Sequence, residues 1–176
     1  DEKEAEQFLL TALNQIWEAQ GRATALGQGL TLTRPISLLW PVAGNLGWVS
    51  ARFHDSTYEQ IFGFPHDGVD IAVPKGTVVR SMAAGHVGDV TDNGMGFNSV
   101  TVVHDDGSVA LFGHVSDFLV IEGQRVAAGD PLAHSGGRPG DPGSGPYSTG
   151  EHVHVSLRVN GATVDPLLSI RTPDLF

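Results

Sequence analysis

Cysteine is absent from this chain of 176 residues. No disulfide framework can staple it and no thiolate can ligate a metal, so any ion would have to be held by His, Asp or Glu. Positive charge is scarce. Ten Lys and Arg face twenty Asp and Glu, for a formal net charge of −10, and Lys3 and Lys75 are the only lysines. A chain this acidic lacks the clustered cations that phosphate contacts need, which argues against a nucleic-acid partner. It argues more weakly against simple adhesion to anionic surfaces. Long apolar runs are missing too: the longest, around Leu9-Leu10 or Phe118 to Ile121, fall far short of the ~20 residues needed to cross a bilayer. The start, Asp1-Glu2-Lys3-Glu4, does not read as a signal peptide, which would be basic and then apolar. The first residue is not methionine, so a targeting segment lost by processing stays open.

Glycine, by contrast, is abundant, with 23 residues, alongside ten prolines and 40% hydrophobic residues. The length suits one domain with a real core. The glycine content predicts short strands and tight turns rather than a helical bundle. Residues 1–20 are the exception: Ala5, Phe8, Leu9, Ala12, Leu13, Ile16 and Trp17 recur at amphipathic-helix spacing, and Gly21 is the expected stop. This helix either packs on the domain that follows or ends a longer helical hairpin or coiled coil. Residues 21–37 read as a linker and 38–176 as the domain proper.

Within the domain, strands are expected at 48–53, 69–73, 77–82, 85–90, 99–104 and 108–114, with a further pair at 124–126 and 131–133. Residues 54–65 read as a surface loop. Asp105-Asp106-Gly107 sits between two valine-rich runs, a hairpin signal in which Gly supplies the positive φ of the turn. Asn93-Gly94 and Asn160-Gly161 mark further turns. The fold class that follows is mainly β, an antiparallel sandwich or barrel-like core with an N-terminal amphipathic helix.

Two patterns carry chemistry. In Gly150-Glu151-His152-Val153-His154-Val155, the histidines at i and i+2 share one face of a strand, their Cα atoms about 6–7 Å apart. One imidazole could bind a metal while the other touches its water. In His66-Asp67-Gly68-Val69-Asp70, a straight strand would separate His66 from Asp70 by about 13 Å, so a shared ion requires a bend, which Gly68 can supply. Each pattern alone is weak, and an isolated His-x-His is more often a solvated surface strand. It is their occurrence in order, with Phe112-Gly113-His114 between them, that carries weight.

In that combination the chain resembles the LytM-type, or M23 family, zinc metallopeptidases that cut peptidoglycan cross-bridges, the group that includes lysostaphin. The resemblance covers roughly residues 38–168. It runs through His66-Asp67-Gly68-Val69-Asp70-Ile71-Ala72, Pro74-Lys75-Gly76-Thr77, Ala84-Gly85-His86-Val87 and Phe112-Gly113-His114-Val115-Ser116. It continues through Gly123 to Gly129 and Ser148-Thr149-Gly150-Glu151-His152-Val153-His154.

The resemblance implies a duplicated hybrid β domain and one Zn²⁺ per chain, with His66, Asp70 and His154 as ligands. It also implies His114 and His152 as non-ligand catalytic residues, a peptidoglycan peptide as substrate, and a secreted role in a bacterial cell envelope, periplasmic or extracellular. The sequence departs from the family pattern at Glu151, where proline is common, at Val155-Ser156, where Phe-Glu is common, and at Phe112, where tyrosine is common. None of these removes a ligand; they bear on substrate fit and loop geometry.

The chemistry agrees. Two neutral imidazoles and one carboxylate leave Zn²⁺ net positive with an open fourth position, able to polarise a carbonyl and acidify water. His152 can take the proton of that water. His114 can bond the water or the oxyanion and return a proton to the leaving amine. Which of the two is the main base stays open. The 135–150 loop is expected to rim a groove, with Gly136, Gly137, Gly140, Gly143 and Gly145 making it mobile and Tyr147 packing on substrate. Arg52 and Arg138 are cationic candidates for a substrate carboxylate.

A second reading is a LytM-like regulatory domain that binds and activates a cell-wall amidase. Such domains typically lose zinc ligands, whereas all five histidine and aspartate positions are present here. A lipoyl- or biotin-carrier module is disfavoured, because Lys75 lacks the methionine-flanked setting. The N-terminal helix is a candidate docking element for a regulatory protein or another copy. The bond cut stays open among a glycine bridge, a D-Ala–diaminopimelate cross-link and a peptide in another polymer.

Overall fold

The computed structural model describes residues 1–34, 36–43 and 46–171; Pro35 of the expected linker and 172–176 of the expected domain lie outside these. Helix α1 spans Glu2–Leu26 and opens with a capping box, in which the Glu4 N–H donates to the Asp1 side chain at 3.0 Å and Glu4 reaches back to the Asp1 backbone. It runs through Gly21, where the sequence predicted a stop, and into the expected linker.

An interior glycine costs a helix about 1 kcal/mol, but tertiary contacts past Gly21 outweigh that. Ala23 is fully buried, and the Arg158 guanidinium donates to Thr24 Oγ1 at 2.9 Å. The buried stripe is Ala12, Ile16, Ala19 and Ala23. It is narrower and later than the expected one, and Phe8 and Trp17 are each 52% exposed. Small residues at 19 and 23 let the helix lie close to the strands beneath.

Strands follow as β1 Leu38–Leu39, β2 Trp48–Ala51, β3 Val69–Ala72, β4 Val78–Arg80, β5 Gly85–Thr91, β6 Ser99–His104 and β7 Val109–Gly113. Next come β8 Val115–Phe118, β9 Arg125–Val126, β10 Pro131–Ser135, β11 His152–Val159, β12 Ala162–Val164 and β13 Ile170–Arg171. The main sheet has the order β2-β3-β11-β7-β6-β5-β9, with β12 beside β11. A second sheet, β4-β10-β8, stacks on it, and β1 pairs with β13. Every pairing is antiparallel except β1–β13.

The Asp105-Asp106-Gly107 turn joins β6 to β7 as expected. The segments at 124–126 and 131–133 do not pair with each other: β9 lies on β5, and β10 lies between β4 and β8. Residues 54–65, expected as loop, hold a second helix, α2 Ser56–Phe62. Its N-cap Asp55 accepts from the Thr57 and Tyr58 N–H groups at 2.9 and 3.1 Å. No residue of α2 is fully buried, and its apolar residues Tyr58, Ile61 and Phe62 repeat over a single turn.

The two faces of the main sheet bury different things. Val153, Val155 and Leu157 of β11 join Ala110, Phe112, Val100 and Val102 in a core against Val79, Leu132 and Ala133 of the second sheet. A wholly buried side chain such as Phe112 contributes about 1.5–3 kcal/mol. On the opposite face Val103, Val109 and Leu111, with Phe97, receive Ile16, Ala19 and Ala23 of α1. By strand alternation, His152, His154, Ser156 and Arg158 point to that same α1 face.

The β6–β7 hairpin also buries a polar chain. Ser108 Oγ donates to Asp106 Oδ1 at 2.6 Å, and the His104 Nδ1–H donates to Ser108 Oγ at 2.8 Å. Burial outweighs the two neighbouring aspartates and lowers His104 from 6.5 to about 4. Between those values the unfolded chain takes up a proton that the folded chain refuses, so stability is full above pH 6.5 and falls as pH drops toward 4. The expected loss from this residue is about 3 kcal/mol. Denaturant melts at pH 7 and pH 4 check this: the pH-dependent loss should be smaller by that amount in His104→Phe, and equal losses in both proteins would contradict it.

Candidate metal centre

Strands β3 and β11 pair so that Asp70 lies opposite His154, and Ala72 opposite His152. The chain enters β3 through Gly68, where a Cβ would sit 2.2 Å from the Val155 carbonyl oxygen and 2.9 Å from the His154 ring. Only glycine lets the backbone pass there. The resulting bend swings His66 back over the strand. His66 Nε2 lies 3.1 Å from Asp70 Oδ1 and 3.1 Å from His154 Nδ1, and His154 Nδ1 lies 2.9 Å from Asp70 Oδ1. All three residues are at most 8% exposed.

Hydrogen bonds on the far side of each ring assign its tautomer. His66 Nδ1–H donates to the Arg52 carbonyl at 2.8 Å, leaving Nε2 bare. His154 Nε2 faces Asp67 Oδ1 at ion-pair distance, 3.2 Å, and a proton held on that edge of the ring leaves Nδ1 bare. Three acceptor atoms therefore converge on one point, and such a triangle repels itself unless a cation or a proton sits among them. Burial alone would lower His154, but hydrogen bonds to Asp67 and Asp70, and their charges, raise it to about 10. Burial likewise works to raise Asp70, yet its bonds to His154 and His66 hold it well below the carboxylate range.

The site is thus built to hold positive charge. A tetrahedral zinc with bonds of 2.0–2.1 Å spaces its ligands about 3.3 Å apart, close to the observed triangle. Two imidazoles and a carboxylate are a donor set that suits zinc. Among the described residues these three are the group placed to share an ion.

His152 and His114 stand beside this triangle without joining it. His152 Nδ1–H donates to the Gly150 carbonyl at 2.7 Å, and its Nε2 is 3.7 Å from Asp70 Oδ1. His114 Nδ1–H donates to the Ser144 carbonyl at 2.9 Å. Both rings thus keep Nε2 free as an acceptor, with centroids 4.6 Å apart. His114 sits in the left-handed region at φ 58° between β7 and β8, a conformation that non-glycine residues adopt at a cost and that clusters at functional sites. Burial, then the charge of His152, holds His114 well below its ordinary value, so it is neutral.

Residues 64–166 match the family model described as Peptidase family M23, more than half of the chain. The chain belongs to peptidase family M23. It is 36% identical over 111 residues to the DD-carboxypeptidase/endopeptidase Mpg of Neisseria meningitidis serogroup B, covering 62% of this chain and 24% of that protein. It is 30% identical over 135 residues to the peptidoglycan DD-endopeptidase ShyA of Vibrio cholerae, covering 76% of this chain and 28% of that one. Among solved structures, a peptidase M23 from Pseudomonas aeruginosa superposes with a TM-score of 0.66 at 30% identity, over 93% of this chain and 62% of the other. The chain spans about a quarter of the length of the curated relatives it matches.

A groove leads to Asp70 and His152, walled by Trp48, Tyr58, Ile61, Tyr147 and Glu151 among others. The 136–150 loop forms one rim but is not loose. Its Gly143 N–H donates to the Gly94 carbonyl at 2.8 Å, and a Cβ on Gly143 would lie 1.9 Å from the Val115 oxygen. Glycine serves close approach here rather than the expected mobility. Tyr147 lines the groove, yet its ring also packs edge-on against Phe62 and Phe64, and its hydroxyl donates to the Leu9 carbonyl of α1 at 3.2 Å. Arg138 pairs with Glu151, and Arg52 serves the site through its backbone carbonyl.

Two contacts were not foreseen. Tyr58 of α2 stacks on His66 at 4.1 Å, and Asp67 bonds His154. Burial, then the charges of Asp70 and Asp67, pushes the Tyr58 hydroxyl up, so it stays protonated. Asp55 followed by Ser-Thr-Tyr-Glu, with Tyr58, Ile61 and Phe62 at helical spacing, was the signal that could have revealed α2.

Proposed function

We propose that this M23 domain is a zinc-dependent endopeptidase that hydrolyses peptide cross-links of bacterial peptidoglycan in the cell envelope. The observation that carries the reading is the triangle of bare acceptor atoms on His66, Asp70 and His154, flanked by two further histidines with free Nε2 atoms. Zinc held there would supply Lewis acidity toward the scissile carbonyl and a water made nucleophilic near neutral pH. The chain's own groups do the rest. His152 and His114 accept the proton given up by the attacking water and return it to the leaving amine. Tyr58 on the groove wall keeps its proton and can donate to a substrate carbonyl. The names of Mpg and ShyA favour a D,D bond over a glycine bridge.

Digestion of defined cross-linked muropeptides, with and without chelator, followed by mass analysis, tests this. Dimers should be cut to monomers, the reaction should stop with chelator and return with added zinc, and the product masses should identify the bond. Intact dimers in the presence of zinc-loaded protein would overturn the reading. Stimulation of a separate wall amidase in the same assay would favour the regulatory alternative.

A further inference from the structure

We propose that Asp67 is a positioning residue for the metal. It grips the Nε2–H of His154 and so points Nδ1 of that ring into the ligand triangle. The inference rests on the zinc reading above. A histidine can bind a metal through either nitrogen, and here the choice is made on the side of the ring away from the ion. His154 Nδ1 faces His66 and Asp70 at 3.1 and 2.9 Å, while Nε2 faces Asp67 Oδ1 at 3.2 Å. His66 and Asp67 are adjacent, so one bend of the chain meets the ring on both edges, and a Cβ added at Gly68 would lie 2.9 Å from the ring carbon between them. A carboxylate behind a ligating imidazole fixes its tautomer and orientation and makes it a better donor.

Asp67 is itself held. Its second oxygen, Oδ2, is buried and lies 3.9 Å from the Arg158 guanidinium. Arg158, 3% exposed, is fixed by Ser156 Oγ at 3.1 Å and by Thr24 Oγ1 of α1 at 2.9 Å. The order from helix to ion is thus Thr24, Arg158, Asp67, His154. A purely structural Asp67 would serve only to neutralise Arg158, and its loss would then lower stability without touching the metal.

Zinc affinity, measured on the whole chain by competition with a chromophoric chelator, separates the two roles. Asp67→Ala should weaken zinc binding roughly 10–100-fold, and Asp67→Glu should recover part of it. Long-range ¹H–¹⁵N spectra of the zinc-loaded chain should show His154 protonated at Nε2 in the wild type and a mixture of tautomers in Asp67→Ala. Should that variant fail to fold, Asp67→Leu, of similar size but without an acceptor, supplies the same comparison. Affinity within twofold of wild type, with the tautomer unchanged, would overturn the proposal while leaving the metallopeptidase reading intact. A wild-type chain that binds no zinc would overturn both.

Discussion

His154→Ala is expected to leave the purified chain without zinc, against about one equivalent in the wild type. The reason lies in the donor triangle. His154 supplies one of three atoms within 3.1 Å of each other, and what remains, one imidazole and one carboxylate, is two short of the four donors zinc takes. Loss of a residue behind a ligand costs roughly 10–100-fold in affinity, and loss of the ligand should cost more. The same variant leaves Asp67 and Asp70 facing each other without the ring between them, so the site gains negative charge but loses its shape. Asp70→Asn is the matching control, since it keeps shape and removes charge. Metal analysis after gel filtration reads both. Stoichiometric zinc in His154→Ala would mean that another group completes the site.

His152→Ala is expected to keep its zinc and lose peptidase turnover by about 10²–10⁴-fold, the usual worth of a positioned proton acceptor. His152 approaches Asp70 no closer than 3.7 Å and ties its Nδ1–H to Gly150, so the triangle survives its removal. What disappears is an Nε2 lone pair on the groove side. His114→Ala should behave alike through the other free Nε2. Because the two rings sit 4.6 Å apart, the double variant should lose less than the product of the single losses. Turnover of His152→Ala on muropeptides equal to wild type, with zinc intact, would remove that residue from the mechanism.

The parts of the fold written in local signals were legible in the sequence. The β6–β7 hairpin follows from Asp-Asp-Gly between two valine-rich runs, and the neighbouring placement of His152 and His154 follows from strand alternation. The three groups that converge were named through the resemblance, since spacing alone said only that a bend at Gly68 was required. What stayed hidden depends on contacts distant in sequence. Helix α1 passes Gly21 because Thr24 meets Arg158 and Ala23 meets the sheet, facts that no window of residues contains. Helix α2 spans seven residues, and Tyr58, Ile61 and Phe62 repeat over only one turn, too short for hydrophobic periodicity to stand out. Asp67 carries no local signal of a role, and only β11, far along the chain, brings His154 against it. The loop glycines suggested motion because glycine is permissive, whereas at Gly136, Gly137 and Gly143 neighbouring atoms leave no room for a larger residue.

The family model begins at residue 64, whereas α1, β1 and β2 all lie before it. The reach of a sequence pattern and the extent of a packed core therefore need not coincide. A fragment excised at the family margins would have one side of its main sheet stripped bare, with Val109 and Leu111 wetted and Arg158 deprived of Thr24. A truncation that removes α1 is therefore expected to melt at lower temperature than the whole chain, and its folding should be checked by circular dichroism before any activity is read from it.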